Sequence, residues 1–129
     1  MSKVLDTKNA RGIYPKVIWD IFVEISNVPR QSGNCTAISK YLCDKLRSLG
    51  LDPVTDVKGN VFAKVPASKA YAELPIVTLQ AHMDMVCIKK EECKHDFTTD
   101  PISVVMGNDG WITSDGSTTL GADNGIGMA

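Results

Sequence analysis

Pro75-Ile76-Val77-Thr78-Leu79-Gln80-Ala81-His82-Met83-Asp84 is the stretch on which the reading of this fold turns. Its first half is almost continuously apolar, as a central strand covered on both faces should be, so a buried strand is predicted over residues 75–80. Side chains alternate along a strand, so His82 and Asp84 leave its end on one face. A neutral imidazole with a carboxylate at its side has the make-up of a metal ligand and the partner that orients it. For an isolated His-x-Asp, a hydrogen-bonded histidine beside a strand-end capping aspartate is the plainer reading, and the tripeptide alone does not displace it.

Upstream of this stretch, Val17, Ile18, Ile21, Phe22 and Ile25 recur at helical spacing and predict a helix over residues 14–27. Pro15 suits its first position and Pro29 its end. Pro29-Arg30-Gln31-Ser32-Gly33-Asn34 is turn chemistry, with Ser32 or Asn34 placed to cap a second helix that runs to Leu49 and stops at Gly50. Two β-branched runs around Lys58-Gly59-Asn60 predict a hairpin, and residues 66–73 a surface loop. Residues 1–12 are polar and read as a loose arm, which leaves 13–129 as one domain.

Downstream, Lys89-Lys90-Glu91-Glu92-Cys93-Lys94-His95-Asp96 is a solvated loop, followed by a second hairpin around Gly107-Asn108-Asp109-Gly110. Asp123 then stands in the turn Gly121-Ala122-Asp123-Asn124-Gly125 at the start of a short helix. A carboxylate there could bridge two metal ions or simply cap the helix, and on its own the cap is preferred. The mixture of helices, hairpins and a buried strand indicates an α/β layer protein, a mixed sheet with helices packed on it.

Hydrophobic residues make up 43% of the 129 residues and charged ones 22%, ordinary values for a globular domain. The formal net charge of -1 offers neither a basic footprint for nucleic acid nor a polybasic membrane patch. No apolar run approaches the ~20 residues of a membrane span. The polar N-terminus lacks the apolar core of a signal peptide, so a cytoplasmic location is expected, with Cys35, Cys43, Cys87 and Cys93 as free thiols. Glu91-Glu92 imitates an acid/base pair but sits in a lysine-rich loop. Cys87, Cys93 and His95 could be assembled into a structural zinc module, but they lack the close Cys-x-x-Cys spacing of such sites. Glycine-rich phosphate loops, dinucleotide fingerprints and Gly-x-Ser-x-Gly elements do not occur in the sequence.

Five segments taken together are more specific than any one. Residues 29–34, Lys58-Gly59-Asn60-Val61, Leu79-Gln80-Ala81-His82-Met83-Asp84-Met85-Val86, Asp96-Phe97-Thr98-Thr99-Asp100-Pro101-Ile102 and the run from Thr118 to Gly127 resemble, in order and spacing, the aminoacyl-histidine (Xaa-His) dipeptidases, a branch of the di-zinc exopeptidases. The resemblance implies that the chain is the N-terminal portion of a zinc-exopeptidase catalytic domain. It implies that His82 is a metal ligand, Asp84 the catalytic-site aspartate that orients it, and Asp123 the metal-bridging carboxylate. It also implies two divalent ions, zinc foremost with cobalt or manganese as alternatives, and a small dipeptide substrate. In the family the general-base Glu-Glu pair, further ligands and a lid domain follow the bridging aspartate. Glu91-Glu92 precedes Asp123 and is not their counterpart, and Cys35 stands where an acidic residue is more usual. The expectation is therefore a truncated metallodipeptidase domain with weak metal affinity alone. Its unpaired sheet edges would invite a second copy or a companion chain. The competing expectation is a non-catalytic truncated paralogue that acts as a binding or regulatory protein.

Overall fold

The computed structural model describes residues 3–6 and 15–129. Chain order runs β1 (Lys3–Val4), α1 (Lys16–Ser26), α2 (Thr36–Ser48), β2 (Val54–Thr55), β3 (Val61–Phe62), β4 (Val104–Met106), β5 (Ile112–Ser114) and α3 (Ala122–Met128), with one 3-10 turn at Lys69–Tyr71. Helices and small sheets mix as the sequence predicts. Strands β1, β4 and β5 form an antiparallel sheet in that order, and β2 pairs with β3 alone.

Helix α1 forms because its apolar residues recur on one stripe. Phe22, Val23 and Ile25 are buried, while Val17, expected on the inner face, is 63% exposed. The helix starts one residue after Pro15, which takes the N-cap position with extended backbone; residue 14 lies outside the described residues. Phe22 and Val23 pack with Leu5 and Val104 into the main core, with Trp19 edge-on to Phe22 at 6.1 Å between ring centroids. The expectation of a loose arm is corrected for the residues described there. Lys3 and Val4 pair with Met106 and Val105, the Leu5 amide bonds to the Val104 carbonyl, and Leu5 is buried. The apolar Val4-Leu5 pair inside the polar segment is the physical reason. Residues 1, 2 and 7–12 lie outside the described residues.

Helix α2 begins at Thr36 with Cys35 at its N-cap, and neither Ser32 nor Asn34 caps it. It buries Ile38 and Cys43 and ends at Ser48 with Leu49 as its C-cap, followed by Gly50, whose φ of 79° is the left-handed turn expected there. Two contacts to α1 pass through Glu24, which accepts hydrogen bonds from Tyr41 Oη at 2.6 Å and Lys45 Nζ at 2.7 Å. Both predicted hairpins form, each shorter than its sequence run. In the first, Asp56 accepts bonds from the amides of Lys58 and Asn60 and closes the turn.

The largest correction concerns residues 75–80. They form no strand, and Ile76, Val77 and Leu79 are 81%, 82% and 91% exposed. A strand needs a neighbour to take its amides and carbonyls, and among the described residues no strand pairs with this segment. The apolar pattern therefore marks a surface that this chain does not itself cover.

Candidate functional site

Although the strand does not form, the residues after it are held in place. Met85 is buried, its amide bonds to the Arg30 carbonyl at 3.0 Å, and it makes a parallel bridge with Gln31. Beyond it, residues 86–90 run beside 117–119. Lys90 and Thr119 donate their amides to the carbonyls of Ser117 and Ile88, each at 2.9 Å. The Thr119 hydroxyl donates to the Val86 carbonyl at 2.7 Å. This pairing carries the chain to Gly121, whose carbonyl receives the Gly125 amide, and delivers Asp123 to His82.

Three side chains named from the sequence meet here. His82 Nδ1 lies 3.1 Å from both the carboxylate Oδ1 and the carbonyl of Asp84. His82 Nε2 lies 3.0 Å from Asp123 Oδ1. Asp84 is fixed in turn by the Ser32 hydroxyl, which donates to its Oδ2. The cluster opens to solvent, with His82 and Asp84 side chains 47% and 38% exposed and Asp123 91%. The peptide bond between Asp123 and Asn124 is cis. The hydrogen bond with Asp123, supported by those with Asp84, raises the His82 pKa above its usual 6.5. The Ser32 hydroxyl, with His82, lowers that of Asp84 below 3.8.

Two donors on a tetrahedral zinc ion stand about 3.3–3.6 Å apart for bonds of about 2.0–2.2 Å, so the 3.0 Å between His82 Nε2 and Asp123 Oδ1 would open by a few tenths of an ångström to admit an ion. Asp84 on the other ring nitrogen would leave Nε2 to face an ion, the arrangement seen for carboxylate-oriented ligands. These two donors fit part of a metal site. Among the described residues, no group of three or more His, Cys, Asp or Glu side chains is arranged to hold an ion. The remaining sequence candidates stand elsewhere. Glu91 and Glu92 are exposed in a turn, and Cys87 and Cys93 are free thiols. His95 packs edge-on against Phe97 at 4.6 Å between centroids, and its buried Nε2 has no hydrogen-bond partner.

Arg30 and Ser32 are the residues that sequence reasoning left out of the site. They were legible only as turn formers.

A helix-and-sheet scaffold that orients a histidine between two aspartates is the kind of frame found in peptidase catalytic domains, and the similarities fall in that class. No family model matches the chain. It is 39% identical over 115 residues to the cytosol non-specific dipeptidase of Escherichia coli (strain K12), covering 89% of this chain and 23% of that protein. Among solved structures, aminoacylhistidine dipeptidase from Vibrio alginolyticus superposes with a TM-score of 0.79 at 40% identity, over 91% of this chain and 24% of the other. A tripeptidase from Staphylococcus aureus superposes with a TM-score of 0.69 at 27% identity, over 86% of this chain and 28% of the other. The chain is homologous to the dipeptidases first resembled on its sequence motifs, and it spans about a quarter of the length of the relatives it matches.

Proposed function

We propose that this chain carries part of the metal centre of a metal-dependent dipeptidase that cleaves Xaa-His-type dipeptides. His82 and Asp123 are the ligands and Asp84 orients His82. The observation that carries the reading is the engagement of both His82 nitrogens, Nδ1 by Asp84 and Nε2 by Asp123. A bound pair of divalent ions, zinc first and cobalt or manganese next, would supply a water acidic enough to act near neutral pH. The chain's own part is to present Nε2 and a carboxylate side by side and to hold the imidazole in one orientation through Asp84 and Ser32. The carboxylate that moves the water's proton, and further ligands, would come from polypeptide corresponding to the other three quarters of the relatives. Affinity for metal in this chain alone is then weak, since catalytic zinc sites typically use about three protein ligands. The name of the Escherichia coli relative supports a cytoplasmic setting; among the described residues no helix is long and apolar enough to cross a membrane.

Metal content of the purified chain, measured beside hydrolysis of a dipeptide ending in histidine, tests the proposal. Asp123→Asn should lower zinc affinity about tenfold or more, while Glu91→Gln leaves it unchanged. Equal effects of the two substitutions would refute the assignment. The exposed apolar residues Ile76, Val77 and Leu79 favour a second reading, a non-catalytic protein that pairs through this segment with another chain or a second copy. Robust metal-dependent hydrolysis by the isolated chain would exclude it.

A further inference from the structure

Arg30 has the largest of the fully buried side chains, at 2% exposure, and no carboxylate is among its hydrogen-bond partners. Its Nη1 donates to the carbonyls of Met83 and Asp84 at 3.3 and 3.2 Å, and its Nη2 to the carbonyl of Gly121 at 2.5 Å. One guanidinium thus joins the segment that presents His82 and Asp84 to the turn that presents Asp123. The loop around it is complementary on both sides. The Arg30 carbonyl takes the Met85 amide, and the Ser32 hydroxyl reaches Asp84. Space for the head group is kept by two glycines. A Cβ on Gly121 would stand 2.5 Å from Nη2, and one on Gly125 2.9 Å from it. Burying a cation is costly unless its donors are used; both Nη groups have acceptors here, while the buried Nε has none. The planar fork donates from two separate Nη atoms held in fixed directions, whereas a lysine ammonium would have to reach all three carbonyls from a single nitrogen.

We propose that Arg30 is the positioning residue of this site, a buried clamp that sets the separation of His82 from Asp123 by holding the carbonyls of Met83, Asp84 and Gly121. This deepens, and for its metal consequence rests on, the dipeptidase reading above. The geometric part concerns the chain's own segments and is measured without metal.

The test uses the whole 129-residue chain, isotopically labelled, with Arg30→Met and Arg30→Lys. Methionine fills the volume without the fork, and apolar replacement of a buried ion is often tolerated; lysine keeps the charge. Far-UV circular dichroism reports folding. The His82 ring to Asp123 Hβ nuclear Overhauser effect and the carbonyl carbon shifts of Met83, Asp84 and Gly121 report the clamp. Zinc competition reports the consequence. The expected result is a folded Arg30→Met chain that has lost the Overhauser contact, with zinc affinity down about tenfold or more. Arg30→Lys is expected to recover part of both. A folded Arg30→Met chain that keeps the contact and native carbonyl shifts overturns the proposal. If Arg30→Met does not fold, Arg30→Lys decides: native contact and affinity overturn the clamp, and their loss in a folded chain supports it. A native chain that shows the contact and loses it in the variants, yet binds no zinc, upholds the positioning role and removes the metal reading.

Discussion

Replacing Gly121 by alanine tests the packing under the site most directly. Gly121 has a φ of 72°, and a Cβ there would meet Arg30 Nη2 at 2.5 Å and Met85 Sδ at 2.8 Å. Left-handed backbone costs an L-residue about 1–2 kcal/mol. The Gly121 carbonyl also accepts a bond from the buried guanidinium, and hydrogen bonds to charged groups are worth roughly 1.5–3 kcal/mol. Gly121→Ala should therefore lower unfolding stability by about 2.5–5 kcal/mol, a large part of the ~5–15 kcal/mol of a typical domain. Gly50→Ala is the matched control. Its φ is 79° and nothing lies within 4 Å of the added carbon, so it should lose only the backbone part, about 1–2 kcal/mol. Urea denaturation of the two variants beside the native chain, with slopes compared to confirm a common unfolded state, gives the difference. Losses equal to within ~0.5 kcal/mol would show that the Arg30–Met85 packing against Gly121 contributes nothing, and the account of the site's support would fail.

Two other outcomes are expected. Burial raises the Glu24 pKa, but the hydrogen bonds from Lys45 and Tyr41 outweigh it and hold it below the usual 4.5. A carboxylate depressed on folding stabilises the fold above its unfolded pKa and loses that contribution as pH falls through the folded value. Glu24→Gln should thus cost ~1 kcal/mol at neutral pH and progressively less below pH 4.5; a penalty constant with pH in chemical denaturation would contradict the α1–α2 link. Val77 is 82% exposed on an unpaired apolar segment. Val77→Lys should reduce concentration-dependent association in sedimentation velocity, because charge on an open edge opposes pairing; undiminished association would place the contact elsewhere.

Local elements were legible in the sequence because their causes are local. The apolar stripe of α1 and the turn chemistry of Lys58-Gly59-Asn60 and of residues 107–110 each act within a few residues. The strand predicted over 75–80 was not realised because a strand is a pairwise structure. The apolar pattern of Ile76, Val77 and Leu79 records that the segment is suited to burial, but a partner must be present to complete it. His82, Asp84 and Asp123 were found through motif order, and they do converge. Arg30 and Ser32 escaped because their roles depend on carbonyls and a carboxylate more than fifty residues away, which no local pattern encodes.

That separation bears on how the molecule is made. The His82–Asp123 contact closes a span of 41 residues and the Arg30–Gly121 bond one of 91. Each doubling of a flexible span adds only about 0.6 kcal/mol of closure entropy, but contacts of high sequence separation slow folding. During synthesis, which proceeds from the N-terminus, α1, α2 and the first hairpin can form while Arg30 is still a cation with no carbonyl on its Nη2. The guanidinium stays hydrated until the ribosome has released Gly121, so the head group that knits the site together is also the one that must wait longest for its last acceptor.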